Sequence, residues 1–134
     1  LIVNTHVCRG NFHSTYASSG AYDSVAATLF AKENVNAYYL EFDDERSGGF
    51  APLRYVSPDK TVVLGLVTTK RPDLEDPERI RERIKEAAQY VPLSRLSLSP
   101  QCGFASTEIG NKLTEEDQWK KIALVRDIAQ TVWG

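Results

Sequence analysis

The sequence contains no methionine, only two cysteines and two histidines, and no marked excess of either charge. Each shortage narrows the field. Sixteen basic residues against eighteen acidic ones, a formal net charge of -2, leave no electrostatic footprint for nucleic acid. The apolar runs are short, as at Thr61–Val67, so no segment is long enough to span a bilayer as a helix and no membrane contact is expected. No basic stretch followed by an apolar one opens the chain, so no signal peptide is expected and the cytoplasm is the expected location. A chain without methionine that opens on Leu1-Ile2-Val3 is expected to be a fragment or a processed piece of a longer protein. In a reducing compartment, Cys8 and Cys102 are expected to bind metal or do chemistry rather than form a disulfide.

What is present suits one globular domain. Of 134 residues, 42% are hydrophobic and 25% charged, which excludes a disordered chain. Residues 1–8 read as a buried strand, with Leu1, Ile2, Val3 and Val7 around β-branched Thr5. A loop rich in Gly, Asn and Ser leads to a helix over 22–33, capped by Asp23 or Ser24, with Val25, Leu29 and Phe30 on its apolar face. A second strand covers 37–42. Pro52 argues against a strand over 50–56, which reads as a loop or short helical turn. The near-continuous apolar run over 61–68 suits a strand buried on both faces of a parallel sheet. Asp76-Pro77 opens a helix that Pro92 stops, residues 96–98 form a short strand, and 114–132 form the last helix. Thr114 with Asp117 resembles a capping box, and Trp119, Ile122, Val125, Ile128 and Val132 supply the buried side of that helix. Strand and helix thus alternate four times, with the second helix weak, which implies parallel strands joined by right-handed crossovers. Either an open four-stranded α/β sheet or half of an eight-stranded barrel satisfies this pattern. A full barrel takes about 250 residues, so the half-barrel is the better reading of so short a chain.

In parallel βα sheets functional groups gather where loops leave the carboxyl ends of strands. His6 and Cys8 end the first strand and, being two apart, share one face. Glu41 ends the second, followed by Asp43, Asp44 and Arg46; Thr68, Thr69 and Lys70 end the third; Cys102 follows the fourth. Imidazole, thiolate and carboxylate are all zinc ligands, so His6, Cys8, Glu41 and Cys102 form a candidate zinc set if the strands lie side by side. The bland alternative is a small buried Cys and a hydrogen-bonded scaffold His. His13 is a spare ligand candidate, and Ser106 and Thr107 are candidates to line the pocket or cap the next turn. Asp43 and Asp44 are candidates to bind a substrate amine or to cap their loop, and Asp44 can pair with Arg46.

The segments His6-Val7-Cys8-Arg9-Gly10, Leu40-Glu41-Phe42-Asp43-Asp44 with Arg46-Ser47, and Leu98-Ser99-Pro100-Gln101-Cys102-Gly103-Phe104 resemble the C-terminal catalytic barrel of cobalamin-independent methionine synthase, most closely its shorter single-barrel bacterial homologues. The resemblance covers nearly the whole chain. It implies zinc held by His6, Cys8, Glu41 and Cys102, and a chain forming the last four βα units of a (β/α)8 TIM barrel. It implies a methyltransferase of methionine biosynthesis that moves a methyl group from a methyltetrahydrofolate-type donor to the thiol of homocysteine. Zinc would hold that thiol as thiolate at neutral pH, with Glu41 the ligand to be displaced. Where the family carries a His taken as general acid, this sequence has Lys70, the candidate catalytic residue here. That departure leaves the methyl donor open. The alternatives are a zinc or ligand-binding domain without activity and a related barrel that alkylates another thiol. A half-barrel is expected to expose inward-facing apolar groups, Leu64 and Leu66 or Val63 and Val67, and so to self-associate or bind its missing half, without activity of its own.

Overall fold

Four of the strands, β1 (Asn4–Val7), β4 (Ala37–Glu41), β5 (Thr61–Val67) and β6 (Leu96–Pro100), form one sheet in that spatial order, and every pairing is parallel. A two-stranded antiparallel hairpin, β2 (Asn11–Phe12) and β3 (Thr15–Tyr16), rises from the loop after β1. The helices are α1 (Asp23–Lys32), α2 (Pro77–Ala87) and α3 (Glu115–Trp133), with short 3-10 turns at Glu45–Ser47, Ala51–Tyr55 and Leu93–Arg95. This computed structural model describes every residue except Ala17 and Ser106, and Tyr16 by its backbone alone.

Register explains which side chains meet. Val7, Leu40, Leu64 and Leu98 lie in one row across the sheet, and His6, Tyr39, Val63 and Ser97 in the next. Successive residues of a strand face opposite sides, so the two rows lie on opposite faces. The first face carries the core: Tyr38, Leu40, Val62, Leu64 and Leu66 pack with Ala26 and Phe30 of α1, Ile80 and Ile84 of α2 and Ile128 of α3. Aromatic edges knit it together, with ring centroids 5.1 Å apart for Phe30–Tyr38 and 5.5 Å for Tyr22–Phe42. None of the His6, Tyr39, Val63 and Ser97 row joins that cluster, and Tyr39 is 38% exposed.

Several expectations change. Leu1, Ile2 and Val3 are exposed rather than buried, because β1 is an edge strand that begins only at Asn4. Tyr22, not Asp23 or Ser24, precedes α1, and no side chain caps it; Val25 points to solvent while Ala26 and Phe30 take the buried stripe. On α3, Trp119 and Ile122 are exposed, and the fully buried position between them is Lys121. Its ammonium is held by the Asp73 carbonyl and the Glu75 carboxylate, and Glu75 in turn accepts from the Thr68 amide at 2.8 Å. The last helix is thereby tied to the end of β5. Leu64, Leu66, Val63 and Val67 are all buried, so the uncovered face is not the apolar surface expected of an opened barrel. The Thr114–Asp117 capping box is present, and Asp76 caps α2 by accepting from the Glu78 amide.

Candidate metal centre

The carboxyl ends of β1, β4 and β6 bring His6, Cys8, Glu41 and Cys102 together, with one donor atom from each lying within 4.8 Å of the others. A tetrahedral zinc with Zn–S bonds near 2.3 Å sets its sulfurs roughly 3.8 Å apart, a spacing that a cluster of this size can reach with shifts of no more than about 1 Å. His6 and Cys8 are exposed and Cys102 is half-buried, whereas Glu41 is fully buried. A cleft of about 280 Å³ opens beside them, lined by His6, Tyr39, Ser99, Gln101, Cys102 and Gly103 among others.

Glu41 is anchored from three sides. Its Oε2 accepts from the Arg9 amide at 3.0 Å, its Oε1 accepts from the Gln101 amide at 2.5 Å, and the His6 imidazole lies 3.7 Å from Oε1. Burial pushes its carboxyl up, but the bonds from His6, Arg9 and Gln101 outweigh that and bring the pKa down to about 2. Bonding to Cys102 and then to Glu41 raises His6 to about 10. The same imidazolium lowers the Cys102 thiol against its burial, while burial raises that of Cys8. Without metal, a protonated His6 therefore joins the guanidiniums of Arg9 and Arg46, 3.7 and 3.9 Å from Glu41 Oε2, in balancing the site's negative charge.

That proton gives a first expected result. His6 holds its proton more tightly folded than unfolded, so its stabilisation is complete below pH 6.5 and is lost as pH rises toward about 10. Glu41 acts oppositely: its stabilisation is present above about pH 4.5 and is lost as pH falls toward about 2. The melting temperature of metal-free protein is expected to fall from pH 7 to pH 10, and His6→Asn is expected to flatten that slope. An unchanged slope in His6→Asn would show that another group titrates.

Three residues with no role assigned from the sequence build this geometry. Tyr22 donates its hydroxyl to the Val7 carbonyl and accepts from the Glu41 amide, both at 2.9 Å, which fixes the end of β1 to the end of β4. Arg9 stacks over the Tyr22 ring at 4.0 Å and donates to the Glu41 carbonyl at 2.9 Å. Gln101, only 2% exposed, is the other residue missed, although it lies within the segment that carries the family resemblance.

The remaining candidates fall around this centre. Lys70 is buried rather than solvated, ion-paired with Asp43 and 3.3 Å from the Gln101 side-chain oxygen. Asp43 keeps its other oxygen, Oδ1, buried without a hydrogen-bond partner among the described residues. Asp44 pairs with Arg46 at 3.1 Å. His13 is not in the cluster; it sits in the hairpin turn and faces the Gly110 carbonyl at 3.2 Å. Thr107 is exposed and its carbonyl accepts from the Gly110 amide, while Ser106 lies outside the described residues.

The sequence comparisons give the family of this parallel α/β sheet with thiols, imidazole and carboxylate gathered at its strand ends. Residues 2–130 match the catalytic domain of the cobalamin-independent synthases, and the chain belongs to that family. It is 57% identical over 134 residues to the uncharacterized protein YxjG of Bacillus subtilis, covering 99% of this chain and 35% of that protein. It is 30% identical to the methionine synthase of Pyrococcus horikoshii over 101 residues, 75% of this chain and 26% of that one. The crystal structure of a putative vitamin B12-independent methionine synthase from Listeria monocytogenes superposes with a TM-score of 0.75 at 44% identity, over 100% of this chain and 36% of that one. The chain spans between about a quarter and about a third of the length of these relatives.

Proposed function

We propose that this chain is the zinc-bearing C-terminal half of a (β/α)8 methyltransferase barrel, and that the full protein methylates the thiol of homocysteine to give methionine. The observation that carries this reading is the convergence of His6, Cys8, Glu41 and Cys102 at the strand ends. Two thiols, one imidazole and one carboxylate suit zinc by ligand chemistry. Bound there, zinc would hold a substrate thiol as thiolate at neutral pH. The cleft adjoining the four donors leaves room for a substrate thiol and supports a substrate-accepting site over a closed structural one.

The chain's own residues divide the remaining work. Asp43 Oδ1, buried and unpartnered among the described residues, is the candidate acceptor for a substrate ammonium, with Asp44 near the same Lys70 ammonium. Lys70, between Asp43 and Gln101, supplies the fixed positive charge at the strand ends where the family's histidine would stand, and is the proposed catalytic group. With lysine there, the methyl donor is proposed as a methyltetrahydrofolate-type compound on the family reading alone.

Zinc-edge spectroscopy tests the assignment: adding homocysteine is expected to add one sulfur to a site that already holds two. A site that keeps its sulfur count at two would instead be structural. Metal has to displace the His6 proton and both thiol protons, so zinc affinity is expected to rise as pH rises above 7. Glu41→Gln is expected to weaken zinc binding less than Cys8→Ser, because thiolates carry more of the affinity than a carboxylate. Chelator competition ranks the two, and an equal loss would reverse the assignment of Glu41 as the weaker ligand. The 134-residue piece alone is expected to self-associate through the open edges of β1 and β6 and to transfer no methyl group; a compact monomer in sedimentation would count against the half-barrel.

A further inference from the structure

Gln101 stands between the metal centre and the Lys70–Asp43 pair. The chain reaches it just past β6, beside a bulge of β5 between Gly65 and Val67, where the Gln101 amide donates to the Val67 carbonyl at 2.7 Å. There its backbone crosses directly over Gly65; a Cβ on that glycine would lie 2.9 Å from the Gln101 Cα. The side chain is thereby driven into the interior. Its Nε2 donates to Glu41 Oε1 at 2.5 Å, and its Oε1 accepts from Thr69 Oγ1 at 3.1 Å and from Lys70 Nζ at 3.3 Å. The two ends of the amide cannot be exchanged, because an ammonium only donates and a carboxylate only accepts. A carboxylate at this position would face Glu41 with like charge, and an ammonium would face Lys70 with like charge. A primary amide satisfies both neighbours.

We infer that Gln101 is the positioning residue of the metal centre: it holds the Glu41 carboxylate among the other three donors and couples it to the Lys70 ammonium. The inference rests on the zinc reading of His6, Cys8, Glu41 and Cys102. Lys70 polarises the amide from one end, and Glu41 receives the strengthened N–H at the other. Asp43 keeps Lys70 in place. Lys70 thus reaches a ligand of the metal without touching the metal.

The test uses the intact protein loaded with zinc, and with cobalt(II) as a spectroscopic substitute. Gln101→Leu is expected to weaken zinc binding by roughly 10–100-fold, the range typical of partners that orient metal ligands. It is also expected to shift the cobalt d–d bands while the thiolate charge-transfer bands remain. Lys70→Met is expected to weaken zinc several-fold in the native background and to add nothing in the Gln101→Leu background, because its influence passes through the amide. Gln101→Glu, which keeps size and polarity, serves if Gln101→Leu does not fold, and is expected to lose affinity at least as strongly. Native zinc affinity and cobalt spectrum in either folded Gln101 variant would overturn the inference, as would additive losses in the double variant. Failure of the native protein to bind zinc at all would remove the metal reading itself, a separate result.

Discussion

Cys8→Ser and Cys102→Ser are each expected to reduce zinc affinity by more than about 100-fold, since even groups that merely orient a ligand are worth roughly 10–100-fold. Serine is nearly isosteric, but its hydroxyl stays protonated at neutral pH and offers a hard, neutral oxygen in place of a soft thiolate. The fold is expected to survive both changes. Cys8 is exposed and Cys102 only half-buried, so neither fills the core, and neither belongs to the cluster that joins sheet and helices. Circular dichroism of both metal-free variants is therefore expected to match the native protein while chelator competition separates them; Cys8→Ser is expected to keep the native melting temperature, and Cys102→Ser to lower it because the His6 imidazolium loses its Cys102 partner. The metal-free native protein carries a corollary. With both sulfurs inside the 4.8 Å cluster, a mild thiol oxidant is expected to join them, with loss of two hydrogens by mass. Unchanged zinc affinity in either serine variant, or two free thiols after oxidation, would break the proposed site.

Gly65→Ala is expected to damage stability and site together. A methyl group there would lie 2.8 Å from the Leu40 carbonyl oxygen and 2.9 Å from the Gln101 Cα, and both obstacles are backbone. No rotamer relieves the clash; either β4 or the end of β6 must move. Overpacking of this kind costs about 3 kcal/mol when backbone has to shift. The end of β6 is the softer element, because its pairing with β5 is already irregular between Gly65 and Val67. Displacing it carries Gln101 away from Glu41 and Cys102 away from His6. Lower melting temperature accompanied by lost zinc affinity is the expected result, whereas Val63→Ala, one pleat earlier on the same face, is expected to lower stability with little effect on zinc. Equal zinc binding in Gly65→Ala would show that the crossing of Gln101 over Gly65 does not position the donors.

Much of this architecture was readable in the residues. The run at β5 is buried along six of its seven positions, and the caps of α2 and α3 are those the sequence announces. The donor set follows from period-two spacing and from the habit of βα units to present residues at strand ends. What could not be read depends on neighbours far along the chain. Leu1-Ile2-Val3 looks like strand core by composition, but an edge strand buries only what its neighbour reaches. Lys121 is fully buried in a helix whose apolar stripe pointed to Trp119 and Ile122, because an ion pair to Glu75 outweighs local pattern. Gln101 carries no pattern signal, since an amide is informative only when both of its ends are seen. Its sole trace was a place beside Cys102 in a motif already in view.

The order of the sheet bears on how the protein assembles. Its four strands follow one another in space as they do along the chain, so each can add to the previous edge and none must insert between two already paired. The donors, in contrast, come from β1, from β4 and from the segment just beyond β6. A sheet grown in chain order has imidazole, one thiol and carboxylate in place early, and completes the set only with its final strand. Metal binding by the proposed donors would then report completion of this four-stranded sheet: after dilution from denaturant, cobalt absorbance is expected to appear later than the ellipticity of the sheet.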